Sequence, residues 1–308
     1  MPLNLSKYPK VLRCLAAGYS RRIFNLPLFS NEEAVIEICQ SQERRDDIPK
    51  LIWIYWEEDE LPQIVKGSVE KIIKLNPDFE VKVLSSHTIK NYLPDFYCHA
   101  EVPVPNKTDL IRLELLFRYG GVWMDATIIL QESLNWIYQE PLRNKYDVIG
   151  YYRSVNTYDN NFPVIETWFL ASQVGNKFIK DWLDVLSPLR DMGSPQYFKM
   201  LQEREDYAII QKNIEPPSYL LVYLACQIAQ RNTLGYNLYL RKAEANAFFL
   251  QNHYEWNSNV ISYALTRLDA SQSNYKLIKL TSGDRSLLSS LEELRLINKR
   301  SFIGQLLN

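Results

Sequence analysis

The stretch RYGGVWMDATIIL, Arg118 to Leu130, decides how this chain is read. It ends a helix on an aromatic residue, turns on Gly120 and Gly121, and continues as a β-branched, nearly unbroken apolar run. Such a run predicts a central strand covered on both faces. Its one charge, Asp125, falls in the middle of that strand. An ionised carboxylate costs several kcal/mol to bury unless a cation or strong donors meet it, in the order of magnitude known for buried ions. The spacing therefore asks what Asp125 faces, and why Thr127 stands two residues on where a second carboxylate could share the task.

Upstream, Thr108 is placed to cap a helix starting at Asp109, with Leu110, Leu113, Leu116 and Phe117 on one face and a glycine stop at its end. Asp109 and Arg112 lie three apart near the start of that helix, the spacing of a common surface ion pair. Because the helix leads through Gly120-Gly121 into the strand of Asp125, all three can converge at one end of a sheet. Ligands of open α/β sheets gather at the carboxyl ends of strands. Arg112 then offers a planar fork for phosphate or hydroxyl oxygens, Asp109 accepts from hydroxyls, and Asp125 meets a cation carrying a diphosphate.

Elsewhere, SNEEAVIEICQSQERR opens with a capping-box spacing, Ser30 to Glu33, and reads as a helix. LIWIYW predicts a strand from Leu51 to Trp56, PQIVKGSVEKIIKLN a helix stopped at Asn76-Pro77, and FEVKVLS a strand with Ser85-Ser86 ready to cap the next helix. DVIGYY, IETWFLAS and YKLIKLTS read as strands, and NKFIKDWLDVLSPL and YLLVYLACQIAQR as helices. The alternation predicts a three-layer α/β/α fold on a mostly parallel or mixed sheet. Residues 1–47 read as a basic arm and helix, 48–290 as the main domain, and 291–308 as a tail.

The chain has 308 residues and a formal net charge of −1, so no global basic field points to nucleic acid. Its 4 cysteines are scattered without a C-x-x-C, which disfavours a zinc site and fits a reducing, cytoplasmic setting. No apolar run is long enough to span a bilayer. The first 30 residues carry Lys7, Lys10, Arg13, Arg21 and Arg22 with no acid before Glu32. Interleaved with Leu12, Leu15, Ile23 and Phe24, they predict either a packed arm with solvated charges or a peripheral contact with an anionic membrane at its inner face. A Rossmann site is disfavoured, because Gly120-Gly121 lies between helix and strand instead of opening a helix.

The blocks IPKLIWIYW, NPDFEVKVLS, NKTDLIRLELLFRYGGVWMDATIIL and KLIKLTSGDR together resemble the capsular polysaccharide synthesis glycosyltransferases and the wider glycosyltransferase family 32 group. The likeness is strongest from Ile48 to Leu130 and reaches Arg285 more loosely. It implies a GT-A fold, a nucleotide-diphosphate sugar donor such as a UDP-sugar, Mn²⁺ or Mg²⁺, and a glycan or lipid-linked acceptor, with anomeric configuration retained. By position, Asp109 and Arg112 hold the donor sugar, Trp123 lines its pocket and Asp125 is the first Asp of D-x-D. Trp53 is placed near the nucleotide base. The second Asp is Thr127, so the motif reads D-A-T: either Asp125 ligates with the Thr127 hydroxyl and a distant residue, or the metal is weakly held, and His253 is either that distant ligand or a core histidine among aromatics. Glu166 is either an acid/base group facing the acceptor or an edge-strand glutamate in solvent. Lys279 and Arg285, flanking LTSGD, are either a clamp over the diphosphate or ordinary surface charges on a turn. The competing expectation is a non-catalytic nucleotide-sugar- or glycan-binding subunit that has lost its metal.

Overall fold

The computed structural model describes residues 8–29, 34–271 and 273–307. The strands are β1 (Val35–Cys39), β2 (Leu51–Tyr55), β3 (Glu80–Leu84), β4 (Gly121–Met124), β5 (Ile128–Leu130), β6 (Val148–Tyr152), β7 (Ile165–Ser172), β8 (Asn237–Lys242) and β9 (Leu277–Lys279). Seven form one sheet in the order β1-β8-β6-β7-β4-β2-β3, while β5 and β9 pair separately. The large sheet is mixed. β3, β2 and β4 run parallel, as do β6 and β8, whereas β7 is antiparallel to both its neighbours and β1 to β8.

Side-chain alternation explains the layering. Trp53 and Tyr55 of β2, Trp123 of β4 and Leu170 of β7 face one apolar cluster, which takes in the helices Val104–Tyr119, Lys177–Leu186 and Leu221–Asn232. Ile52, Ile54, Val122 and Met124 face the other way, onto Val65, Val69 and Ile72 of the helix Gln63–Leu75. The expected three-layer α/β fold on a mixed sheet is present, with helical additions. A third cluster joins the helices Tyr8–Ser20 and Ser258–Arg267 to Phe302 and Ile303 near the end of the chain. The small sheet lies between the second and third clusters, Ile128 and Leu277 facing one and Ile129 and Ile278 the other.

Three local expectations need correction. The segment expected as a helix after Ser30 holds β1, whose Val35, Ile36 and Ile38 suit a pleated strand and pair with β8, Ile36 opposite Leu240. The capping pair Ser30–Glu33 lies outside the described residues. The helix carrying Asp109 begins at Val104 instead, with Pro103 preceding it and Pro105 in its first turn, where a missing N–H costs nothing. Thr108 is therefore internal, its hydroxyl donating to the Val104 carbonyl at 2.8 Å.

The third correction concerns VWMDATIIL, which is two strands. Asp125 donates its N–H to the Trp168 carbonyl at 2.9 Å as the last rung of β4. The N–H of Ile128 then returns to the Asp125 carbonyl at 3.1 Å, a turn that lifts the chain out of the large sheet into β5. Asp125 thus sits at the carboxyl end of a strand and not within one.

Gly120 and Gly121 make the preceding joint, with φ of 61° and 93°. A Cβ on Gly121 would stand 2.5 Å from the Leu51 carbonyl oxygen of β2, so both the backbone angle and the close approach require glycine. Gly121→Ala is expected to cost about 2 kcal/mol or more in urea unfolding, from strain plus separation of β2 and β4. A loss below about 0.5 kcal/mol, the range of an ordinary surface change, would contradict this account of the joint.

Candidate functional site

The carboxyl ends of β2 and β4 open into a cavity of about 660 Å³. Its floor is the turn Asp125-Ala126-Thr127, and its walls come from Tyr55 at the end of β2, Glu57 just beyond it, Asp109 and Arg112 on the long helix, and Thr167 and Trp168 of β7. Tyr219 and Tyr223 close one side, and Lys279 to Ser282 with Arg285 close another. The topology thus places the cavity where an open α/β sheet binds its ligands.

Arg112 is the structural hinge of the site. Its guanidinium is buried, pairs with Asp109 through Nη1 and donates from Nη2 to Asp125 Oδ1 at 2.9 Å. It also lies 4.8 Å above the ring of Trp123, whose indole N–H donates to the same Asp125 oxygen at 3.0 Å. The other oxygen, Oδ2, meets Lys279 Nζ at 3.1 Å. Burial works against the Asp125 charge, yet Lys279 and Arg112 outweigh it and hold the carboxyl well below the usual carboxylate range. Asp109 has only a share of Arg112 and a 3.4 Å contact from the Thr167 hydroxyl, so burial dominates and pushes its carboxyl up to about 6.

Lys279 reaches Asp125 because of strand register. In the small sheet it stands opposite Ile128, one residue beyond the D-A-T turn, and the Leu280 N–H is bonded to the Thr127 carbonyl at 3.0 Å. Its ammonium donates to Thr127 Oγ1 at 2.8 Å and to the Leu280 carbonyl at 3.2 Å. Arg285 follows on the short helix Ser282–Arg285, which Thr281 and Asp284 cap reciprocally, so SGD is a capped turn of helix. Its Nε donates to the Thr281 carbonyl at 3.3 Å, and it makes no ion pair among the described residues.

Asp109, Arg112, Asp125, Thr127, Lys279 and Arg285 therefore meet in one cavity, while four other expected site residues stand apart from its lining. Trp53 is core, its indole N–H spent on the Gly120 carbonyl at 2.9 Å and its ring against Tyr92 and Tyr119, outside the cavity lining. Trp123 lies beneath Arg112 and braces the site from below instead of lining the pocket. His253 is exposed, in ring contact with Phe249 and Tyr254, and is not part of the lining that includes Thr127. Glu166 is neither in solvent nor in the cavity wall. It is buried on β7, an interior strand, and accepts from the Tyr223 hydroxyl at 2.6 Å; burial raises its carboxyl.

The expected metal set is likewise not assembled. Both Asp125 oxygens face cationic side chains, the Thr127 hydroxyl is engaged by Lys279, and His253 is elsewhere. Among the described residues no group of three or more His, Cys, Asp or Glu side chains is placed to hold a metal ion. The donor set at D-A-T does not fit a divalent cation while Lys279 occupies it.

Sequence reasoning missed Thr167, Trp168, Tyr219 and Tyr223. Trp168 lines the cavity, though its indole N–H is buried without a hydrogen-bond partner among the described residues. Its place in IETWFLAS was visible, but not which strand face it would take.

The cavity at the ends of the central strands of this α/β protein brings Arg112, Lys279 and Arg285 together with Glu57, Glu58, Asp109 and Asp125. The chain belongs to the capsular polysaccharide synthesis protein family, which it matches over residues 29–282. The O-glycosyltransferase braB of Annulohypoxylon truncatum is 26% identical over 162 residues, covering 46% of this chain and 38% of that protein. Glycosyltransferase afumC of Aspergillus fumigatus is 25% identical over 166 residues, covering 47% and 42% respectively. Inositol phosphoceramide mannosyltransferase 3 of Schizosaccharomyces pombe is 23% identical over 125 residues, covering 39% and 32%. The match spans less than half the length of each of these relatives. Among solved structures, the PaToxG glycosyltransferase aligns at a TM-score of 0.34 and 14% identity, over 76% of this chain and 99% of that one. Likeness at that level leaves the fold to be argued from the strands themselves.

The raised Asp109 carboxyl has a stability consequence. A carboxyl that ionises later in the folded than in the unfolded chain lends its stability below the unfolded value and loses it as pH rises through about 6. Between pH 5 and 7.5, unfolding free energies should therefore shift by about 1 kcal/mol in favour of Asp109→Asn relative to wild type. A difference that stays constant across that pH range would contradict the assignment.

Proposed function

We propose that this chain is a glycosyltransferase that moves a sugar from a nucleotide-diphosphate donor to a glycan or lipid-linked acceptor in capsular or other surface polysaccharide assembly. The observation that carries the reading is the convergence of Arg112, Lys279 and Arg285 around the Asp125 carboxylate in one cavity. Family membership and relatives named as glycosyltransferases support it. The donor is a nucleotide sugar, with a UDP-sugar the first candidate.

In this reading Lys279 and Arg285 face the diphosphate, and Asp109 accepts from a sugar hydroxyl. Arg112 fixes both carboxylates in place, with Trp123 as its platform. Tyr219 and Tyr223 supply amphipathic walls of the kind sugar rings pack on. Glu166 orients Tyr223 through its hydroxyl instead of touching substrate. In the transfer, the bond from the anomeric carbon to the diphosphate oxygen breaks and its electron pair stays on that oxygen. The acceptor oxygen takes the carbon, and its proton leaves with the diphosphate. Positioned cations stabilise the charge growing on the leaving oxygen, commonly the largest catalytic term. Retention of configuration is part of the proposal and rests on family likeness. It is compatible with inner carboxylates held by Arg112 and Lys279 instead of free to act as base.

A lipid-linked acceptor suits the N-terminal helix Tyr8–Ser20. Val11, Cys14 and Gly18 pack inward, leaving Lys10, Arg13, Arg21 and Arg22 exposed beside exposed Leu12, Tyr19, Phe24 and Leu28. That surface combines basic charge with apolar side chains, as peripheral contact with anionic lipid requires. No helix among the described residues is long and apolar enough to cross a membrane. The ammonium lodged at D-A-T favours one second reading, a subunit that binds nucleotide sugar or glycan without turning it over.

Asp125→Asn keeps the shape of the floor but removes the charge that orients Arg112 and Lys279. Slow hydrolysis of the accepted nucleotide sugar should fall at least about 100-fold, a loss typical of dismantled electrostatic preorganisation, with the circular dichroism spectrum unchanged. Undiminished turnover would remove Asp125 from the site, and hydrolysis of no nucleotide sugar by wild type would favour the second reading.

A further inference from the structure

We infer that the Lys279 ammonium, together with the Arg285 guanidinium, takes the place of a divalent cation at the D-A-T turn, so that this chain binds its nucleoside diphosphate without metal. The inference rests on the donor-site reading above and specifies its electrostatics.

Four observations carry it. Lys279 Nζ sits between Asp125 Oδ2 and Thr127 Oγ1, the two side chains of D-A-T that would face a cation, at 3.1 and 2.8 Å, and also touches the Leu280 carbonyl at 3.2 Å. Asp125 and Thr127 take two of the three ammonium donors, and the third, on the Leu280 carbonyl at the longest distance of 3.2 Å, is the one a phosphate oxygen would take over. The placement is fixed by backbone: Lys279 is paired with Ile128 in the small sheet, its N–H is bonded to Ala247 O at 3.0 Å and its carbonyl accepts from Gln251 at 2.8 Å. A lysine on a mobile surface loop would have none of these constraints. Thirdly, the motif has a threonine where the second carboxylate would stand. A second carboxylate would add a charge that one ammonium cannot neutralise, whereas a hydroxyl accepts from an ammonium at no charge cost. Finally, Arg285 lines the same cavity and makes no ion pair among the described residues. Two unit charges from Lys279 and Arg285 equal the charge of one divalent ion, and the guanidinium fork suits phosphate oxygens.

The alternative is that Lys279 swings out and a metal enters. Titration calorimetry with UDP, GDP, CDP and ADP, each in excess EDTA and in excess Mn²⁺, separates the two. The tightest nucleotide should bind with affinities agreeing within about 3-fold in the two conditions, under 1 kcal/mol. In EDTA, Lys279→Met and Arg285→Met should each weaken it about 10-fold or more, as loss of a charge-assisted phosphate contact does. Lys279→Arg should recover part of that loss. Mn²⁺ electron paramagnetic resonance on wild type should show no stoichiometric ion, with or without nucleotide. Arg285→Met guards against misfolding at position 279, since it removes no ion pair among the described residues. Binding at least about 10-fold tighter in Mn²⁺, a stoichiometric Mn²⁺ signal, or full affinity in both Met variants overturns the inference while leaving the donor site standing. Failure of every nucleotide in both conditions overturns the donor-site reading and this inference together.

Discussion

The Asp125 carboxylate, half-buried at the cavity floor, can remain charged only because cations from two distant segments reach it. Arg112 arrives on the long helix and Lys279 on the last strand, at 2.9 and 3.1 Å. Neither is close in sequence to the other, so the site exists only when the helix, the glycine joint and the small sheet are all formed. Removing one partner leaves an uncompensated charge, which is why such pairs tie folding to site geometry even when their net contribution to stability is small. Much of the local architecture serves this meeting. The Gly120-Gly121 joint brings β4 against β2, the turn at Asp125 ejects the chain into β5, and β5 recruits β9 with its lysine.

The same arrangement distinguishes the two acids. Asp125 receives Arg112, Trp123 and Lys279, while Asp109 shares Arg112 and is left with a titrating carboxyl near the physiological range, raised to about 6 by burial. Two carboxylates joined by one guanidinium thus acquire different chemistry from their surroundings. The fixed one stays charged and anchors cations, and the softer one changes its charge as pH crosses about 6. Neither is available as a metal cage, because the ammonium occupies the gap that D-A-T leaves.

Much of this was legible in the sequence. The helix–glycine–strand passage, the helical spacing of Asp109 and Arg112, and the LTSGD segment with its flanking cations all carry local signals that survive folding. The single strand expected for VWMDATIIL was wrong because an apolar run does not reveal which of two sheets each residue joins; a tertiary bond from Asp125 to Trp168 decided it. Helical periodicity after Ser30 lost to a strand that β8 completes across about two hundred residues of sequence. The family likeness places Trp53 and Trp123 at the pocket, whereas the paired register turns both into the apolar cluster of the long helix. The contact of Lys279 with Thr127 depends on β5–β9 register, which no local pattern encodes.

The central claim is that the cations around Asp125 receive the diphosphate of a nucleotide sugar. A crystal structure of the protein with a nucleotide sugar, grown in EDTA, tests it most directly. The account predicts β-phosphate oxygens within about 3 Å of Lys279 Nζ and the Arg285 guanidinium, the distance of charge-assisted hydrogen bonds. A diphosphate bound outside this cavity, with no phosphate oxygen near Lys279 or Arg285, would contradict it.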